Sequence, residues 1–204
     1  MKLISGKNIL LILLCVGIPA FAAISKLVKI NFEYPTFKKS YDADSFIRFT
    51  VTHRKFKTLT EKFEGTVKSF IVSGQLVGDE FEKPEVKFNV LDMDTDNGMR
   101  NDKMQKNTLE AKRYPQITVN FGQSLKLGKQ TANGIITILG NNKPIVLPLM
   151  VEDIGNSYKA NGHTAVLMSS LGFPKPNFIS DAIASVDDRI DLTYQVLLPN
   201  PDCN

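Results

Sequence analysis

Apolar and polar residues alternate in short segments along most of the chain, the period-2 signature of half-buried strands. Leu27 to Tyr34 (LVKINFEY) is the first such segment, ended by Pro35. Ser45 to His53 follows, with Ile47, Phe49 and Val51 on one face, Phe46, Arg48, Thr50 and Thr52 on the other, and His53 falling on the apolar face. Phe63 to Val77 predicts one long strand or a bent pair: its phase breaks at Ile71-Val72 beside Gly74, as at a bulge or barrel corner. Val86, Phe88 and Val90 alternate, as do Ile117, Val119 and Phe121. Gly134 to Leu139 and Ile145 to Val151 predict a hairpin about the turn Gly140-Asn141-Asn142-Lys143-Pro144, with Pro148 marking an edge or a bulge. Tyr158 to Met168 and Arg189 to Leu198 complete the set, the last presenting Ile190, Leu192, Tyr194, Val196 and Leu198 on one face.

About eight strands, each with one apolar face, predict an all-β domain, a closed barrel or a sandwich. Two segments break the pattern. Asp94 to Lys112 is charged and helix-like, with Asp94, Asp96 and Asn97 supplying turn and N-cap chemistry and Tyr114-Pro115 ending it. A short helix across the mouth of a barrel fits this insert. Asn177 to Ser185 carries Phe178, Ile179, Ala182 and Ile183 at helical spacing, a short amphipathic helix or a loop. Arg54, Lys55, Lys57 and Lys62 form a basic stretch without interleaved aromatics, read as a solvated turn.

The first residues belong to another class. Lys2 and Lys7 precede the apolar run Ile9 to Ile18, Pro19 breaks it, and Ala20-Phe21-Ala22 has the small-x-small pattern of a signal-peptidase site. Residues 1–22 therefore predict a cleaved signal peptide, and residues 23–204 the mature domain, exported to the periplasm or secreted. Loss of Lys2 and Lys7 lowers the formal charge from +4 to +2, which gives no reason to expect a nucleic-acid partner. Cys15 leaves with the leader and Cys203 remains near the terminus, so no intrachain disulfide forms.

Catalytic chemistry finds little footing. His53 and His163 are the two histidines, without zinc-ligand spacing. Asp92, Asp94 and Asp96 alternate but lack the glycine and distal glutamate of a calcium loop. Neither a nucleophile elbow nor a phosphate loop is present, so neither an enzyme nor a cofactor or metal site is expected.

A set of ordered motifs carries more than the pattern. Asp94-Thr95-x-Asn97, Arg100-x-Asp102 and Tyr114-Pro115 resemble the YceI family of lipocalin-like, polyisoprenoid-binding bacterial proteins. Ser45 through His53, Phe63-x-Gly65-x-Val67 and Gly134-Ile135-Ile136-Thr137-Ile138-x-Gly140 resemble its early strands and its hairpin. Ser169-Ser170-Leu171-Gly172-Phe173 and Asp187-Asp188-Arg189-Ile190 resemble its closing loop and last strand. The chain departs from the family at Arg100-Asn101-Asp102-Lys103-Met104, where Arg-Asp-x-His-Leu is usual, and at Met168 and Ser170, where an arginine and an aspartate are usual. It also lacks the tryptophan of true lipocalins.

The resemblance implies an extended antiparallel lipocalin-like β-barrel of about eight strands, a short helical segment over one end, and an interior that accepts one long isoprenoid or fatty chain. On that reading the ligand is an isoprenoid quinone or related lipid, stored or transported in the periplasm. The candidate ligand-binding residues are Ile47, Phe49, Val51, His53, Phe88, Val90, Met104, Ile117, Val119, Phe121, Leu147, Leu149, Leu192 and Tyr194. His53 reads first as a satisfied structural histidine, with a hydrogen-bonding partner at the mouth as the alternative, and Tyr194 reads equally as a ligand contact or a core aromatic. Arg100 and Asp102, two apart on a helix, point to different sides. Transient membrane contact and a homodimer stay open. The rival reading is a barrel packed by its own side chains and used as a protein-interaction or stress-related scaffold.

Overall fold

Burying one face of each alternating segment yields a continuous antiparallel sheet. The computed structural model describes residues 25–55, 59–173 and 184–200. Their elements are β1 (Ser25–Glu33), α1 (Phe37–Tyr41), β2 (Phe46–Lys55), β3 (Leu59–Val67), β4 (Ser69–Val77), β5 (Glu80–Asn89) and β6 (Met93–Asp94), then α2 (Gly98–Asp102), β7 (Gln116–Phe121), β8 (Gly128–Ile138), β9 (Asn141–Asp153), β10 (Ser157–Leu167), α3 (Met168–Leu171) and β11 (Ala184–Pro199). The order across the sheet is β1-β4-β5-β7-β8-β9-β10-β11-β2-β3-β6. The predicted signal peptide with Cys15, the Lys57 position, the predicted helix over most of Asn177 to Ser185, and Cys203 lie outside the described residues.

One bent strand makes the sheet curl back on itself. β3 and β4 are separated by Lys68 alone. β3 pairs with β2, from Arg48↔Thr66 to Lys55↔Leu59, while β4 pairs with β1 and β5. The second strand from each end of the sheet, β4 inside β1 and β3 inside β6, is therefore one half of the same long strand. Counted once, that strand joins β5, β7, β8, β9, β10, β11 and β2 in a ring of eight, the lipocalin-like barrel expected. The backbone at the bend is satisfied: the Tyr34 amide donates to the Lys68 carbonyl and the Lys68 amide to Asp92, both at 2.8 Å.

The phase break expected at Ile71-Val72 falls at Lys68, where the inward set Phe63, Gly65, Val67 gives way to Phe70, Val72, Gly74, Leu76. The bulge expected near Gly74 is present on the partner strand: Lys83 and Pro84 oppose Gly74 between the pairs Ser73↔Glu85 and Gln75↔Glu82. Proline has no N–H to donate, so it sits where the ladder skips. β5 begins at Glu80, well before the alternation at Val86, because the bulge carries the strand through a proline that hides it.

Arg54, Lys55 and Lys62, expected in a turn, lie within strands, the first two at the end of β2 and Lys62 in β3. The β8–β9 turn is also tighter than expected. Leu139 and Gly140 form it alone, at φ 51° and 70°, and Asn141 to Pro144 are paired strand opposite Ile138 to Ile135. Two positive φ values match the right-handed twist of a hairpin. Pro148 lies where β9 loses its ladder to β10, which runs only from Met150↔Asn161 to Asp153↔Tyr158.

Candidate functional site

The inward faces do not meet. They enclose a cavity of about 560 Å³, within the range of about 300–1,000 Å³ typical of ligand sites and far above the voids of a packed core. Ile47, Phe49 and Val51 of β2 line it, with Phe88 of β5, Ile117, Val119 and Phe121 of β7, Leu147 and Leu149 of β9, and Leu192 and Tyr194 of β11. His53 and Met104 stand at the capped end of the same cavity. Thirteen of the fourteen candidate residues thus face one space.

Val90 does not. It is buried, at 1% exposure, but it opens a 3-10 turn over Val90–Asp92 and its side chain joins the core outside the cavity wall. The alternation of Val86 and Phe88 ends at Asn89, so period-2 reasoning overruns the strand by one residue. Ile136, Ile138, Ile145 and Val196 also line the cavity, and the alternation of their own strands carries that signal. Met168, Leu171 and Phe173 close one side of the capped end from α3 and the residues after it, a segment too short for any periodicity. Phe81, Leu125 and Leu198, from strand and loop ends opposite the cap, form the floor.

The cap is built by short polar side chains. The Asn97 side chain accepts from the Arg100 amide at 3.0 Å and starts α2 as its N-cap. Thr95, 4% exposed, donates through its amide and hydroxyl to Asn101 Oδ1 at 2.9 and 2.7 Å. Asn101 in turn donates to Asp94 Oδ1 at 2.8 Å, and Lys68 Nζ lies 3.2 Å from Asp94 Oδ2. Burial by itself would raise the Asp94 carboxyl, but the hydrogen bonds from Asn101, the Asp96 amide and Lys68 outweigh it and hold the pKa below the usual carboxylate range. The cap is thereby tied to the bend of the long strand. Beyond α2 the chain runs on as a π-helix over Lys103–Thr108, pinned by Gln105 Nε2 donating to Met93 O at 2.9 Å.

Arg100 and Asp102 diverge as their spacing requires. The Arg100 guanidinium lies 4.5 Å from the Phe63 ring centroid at the mouth and donates to the Thr95 carbonyl at 3.3 Å. Asp102 faces outward, 3.0 Å from Lys106 Nζ. His53 Nδ1 is 3.9 Å from Glu61 Oε2 on the neighbouring strand. The polar lining, His53, Glu61, Lys62, Asn97, Arg100, Lys103 and Thr108, is confined to the capped end, and apart from the Tyr194 hydroxyl the remaining wall is hydrocarbon, thioether or aromatic ring. Among the described residues no cluster of three His, Cys, Asp or Glu is arranged to hold a metal.

Tyr194 serves wall and frame together. Its ring faces the cavity, while its hydroxyl crosses β10 to donate to the Pro148 carbonyl at 2.5 Å, the acceptor left over where the β9–β10 ladder stops. Gly162 makes the crossing possible: a Cβ there would lie 2.1 Å from Pro148 O and 2.8 Å from the Tyr194 ring. Burial pushes the Tyr194 pKa up to about 12.

Several solved structures share this architecture. A Burkholderia cenocepacia protein, BcnA, is 18% identical, with a TM-score of 0.58 over 74% of this chain and 95% of its own. A polyisoprenoid binding domain from Saccharophagus degradans, implicated in plant cell wall breakdown, is 12% identical, with a TM-score of 0.56 over 78% of this chain and 97% of its own. The Campylobacter jejuni YceI protein is 21% identical, with a TM-score of 0.54 over 67% and 84%. At these identities the likeness establishes the fold alone. No curated protein matches the sequence. The model of the YceI-like domain matches residues 40–198, from α1 to the last turn of the barrel wall in β11, and the chain belongs to that family.

Proposed function

We propose that the protein takes up one long-chain amphiphile of the isoprenoid or fatty kind, holding the tail in the barrel and the head at the capped end, to store, carry or shield it in the periplasm after export. The observation that carries this reading is the 560 Å³ cavity, apolar except at one end. A scaffold packed by its own side chains would not leave such a space. Burial of the tail contributes about 0.8 kcal/mol per CH₂, so transfer out of a bilayer replaces lipid contacts with barrel contacts and needs no covalent step. The Saccharophagus degradans domain, described as polyisoprenoid binding, supports the same ligand class. The segment from Asp94 to Lys112 covers the entrance, and its opening gates exchange.

Native mass spectrometry of the mature protein purified from the periplasm, followed by organic extraction, tests the proposal. A stoichiometric long-chain lipid is the expected result. An empty protein that also fails to take up added long-chain alcohols, quinones and acids would refute it.

A further inference from the structure

We infer that the head group held at the mouth is anionic, a long-chain carboxylate or phosphate; this rests on the lipid-carrier reading above and narrows its ligand. Four charged side chains line the mouth: Glu61, Lys62, Arg100 and Lys103. The single carboxylate faces His53, 3.9 Å away. The three cations have no acidic partner among the described residues. Arg100 engages a carbonyl and an aromatic face, which orient its guanidinium while leaving its charge uncompensated. Lys103 opens the π-helix and Lys62 lies on the rim strand between Glu61 and Phe63.

Lysines at a cavity edge lay their stems along apolar wall and hold the ammonium at the water boundary. An acid whose tail fills the barrel would present its oxygens at that boundary. Charge-assisted hydrogen bonds from Arg and Lys to carboxylate or phosphate are stronger than those to a neutral head. A hydroxyl or carbonyl head would leave the three cations uncompensated.

The test compares heads on one tail. Lipid-freed protein is loaded with the neutral dye N-phenyl-1-naphthylamine, which is then displaced by hexadecanoate, hexadecyl phosphate or hexadecan-1-ol, the two anions below their micelle concentrations and the alcohol below its solubility limit, at pH 8 and low salt. At least one of the two anions is expected to displace dye at concentrations about tenfold lower than the alcohol. The preference should shrink in 1 M NaCl and in the Lys62→Gln/Lys103→Gln variant. Whether phosphate or carboxylate binds tighter names the acid, and either order supports the inference. Equal displacement by the alcohol, or a preference untouched by both salt and the double substitution, overturns it while leaving the carrier reading intact. Failure of the protein to bind dye or any of the three chains overturns the carrier reading and this inference together.

Discussion

Filling the barrel is the sharpest way to ask whether its interior is space or core. Ala160 lies on β10 between Val151 and Val196 with its methyl in the cavity wall, and Val166 faces the same space further along the strand. In a packed interior, enlarging either residue to phenylalanine costs about 1–3 kcal/mol through displaced neighbours. In a cavity of about 560 Å³ the new ring finds room. Relative to alanine it removes roughly 100 Å² more apolar surface from water, worth at most about 2.5 kcal/mol at ~25 cal/mol per Å², less about 0.5–1 kcal/mol of side-chain entropy. Ala160→Phe should therefore leave the lipid-free protein as stable as wild type or up to about 2 kcal/mol more stable, read from the midpoint of urea unfolding at an unchanged slope. The same ring displaces roughly four methylenes of tail, about 3 kcal/mol, so uptake of a sixteen-carbon chain should weaken by more than a hundredfold. Val166→Phe should behave alike. A midpoint lowered by more than 1 kcal/mol with uptake unchanged would show that the barrel is already full.

Two further perturbations probe the frame. Tyr194→Phe strands the Pro148 carbonyl and should cost about 1–3 kcal/mol in urea unfolding. It should also change the alkaline limb: unfolded tyrosine ionises near pH 10 and Tyr194 in the fold near 12, so the unfolded chain loses its proton first and wild-type stability falls from pH 10 to 12, a decline the variant should lack in part. Gly162→Ala and Gly65→Ala place a methyl at the same 2.1 Å from a neighbour with different consequences. At Gly162 the obstacle is the Pro148 backbone, and the expected cost exceeds about 2 kcal/mol; at Gly65 it is the tip of the Phe49 ring, which can swing into the cavity, and the expected cost stays near 1 kcal/mol or below. Equal losses in thermal or urea unfolding would contradict this difference.

The wall was legible because each strand buries one face, and a one-residue slip would expose its whole apolar set. Phe49, Val119 and Leu149 declared their direction through their neighbours alone. The cap's start was legible too, since Asn97 is an N-cap residue standing just before a charged helical segment. Three features resist such reading. The start of β5 hides behind Pro84, because a bulge that tolerates proline depends on the partner strand and not on local composition. The π-helix over Lys103–Thr108 depends on contacts with Met93 and the rim, so no periodicity announces it. The divergence of Arg100 and Asp102 followed from their spacing, but which of them faces the mouth is decided by Phe63, distant in sequence. The cavity itself could not be read from the strands, since an inward apolar face looks the same whether it meets another side chain or a void.

The bent strand has a consequence for how the molecule is made. Around the ring every neighbouring pair from β4 to β11 is close in sequence, and β2 and β3 form a hairpin at the other end. Only β11 against β2, where Gln195 meets Phe46, spans nearly the whole chain. The non-local share of folding is thus concentrated in one zipper, whose loop-closure entropy must be met before any of its hydrogen bonds form. Until that zipper closes, β11 and β2 are two long unpaired edges able to template onto another copy. Refolding should therefore show one slow, late phase whose yield falls as protein concentration rises, and any ligand that fills the barrel acts after that step, by slowing the reopening of a single seam.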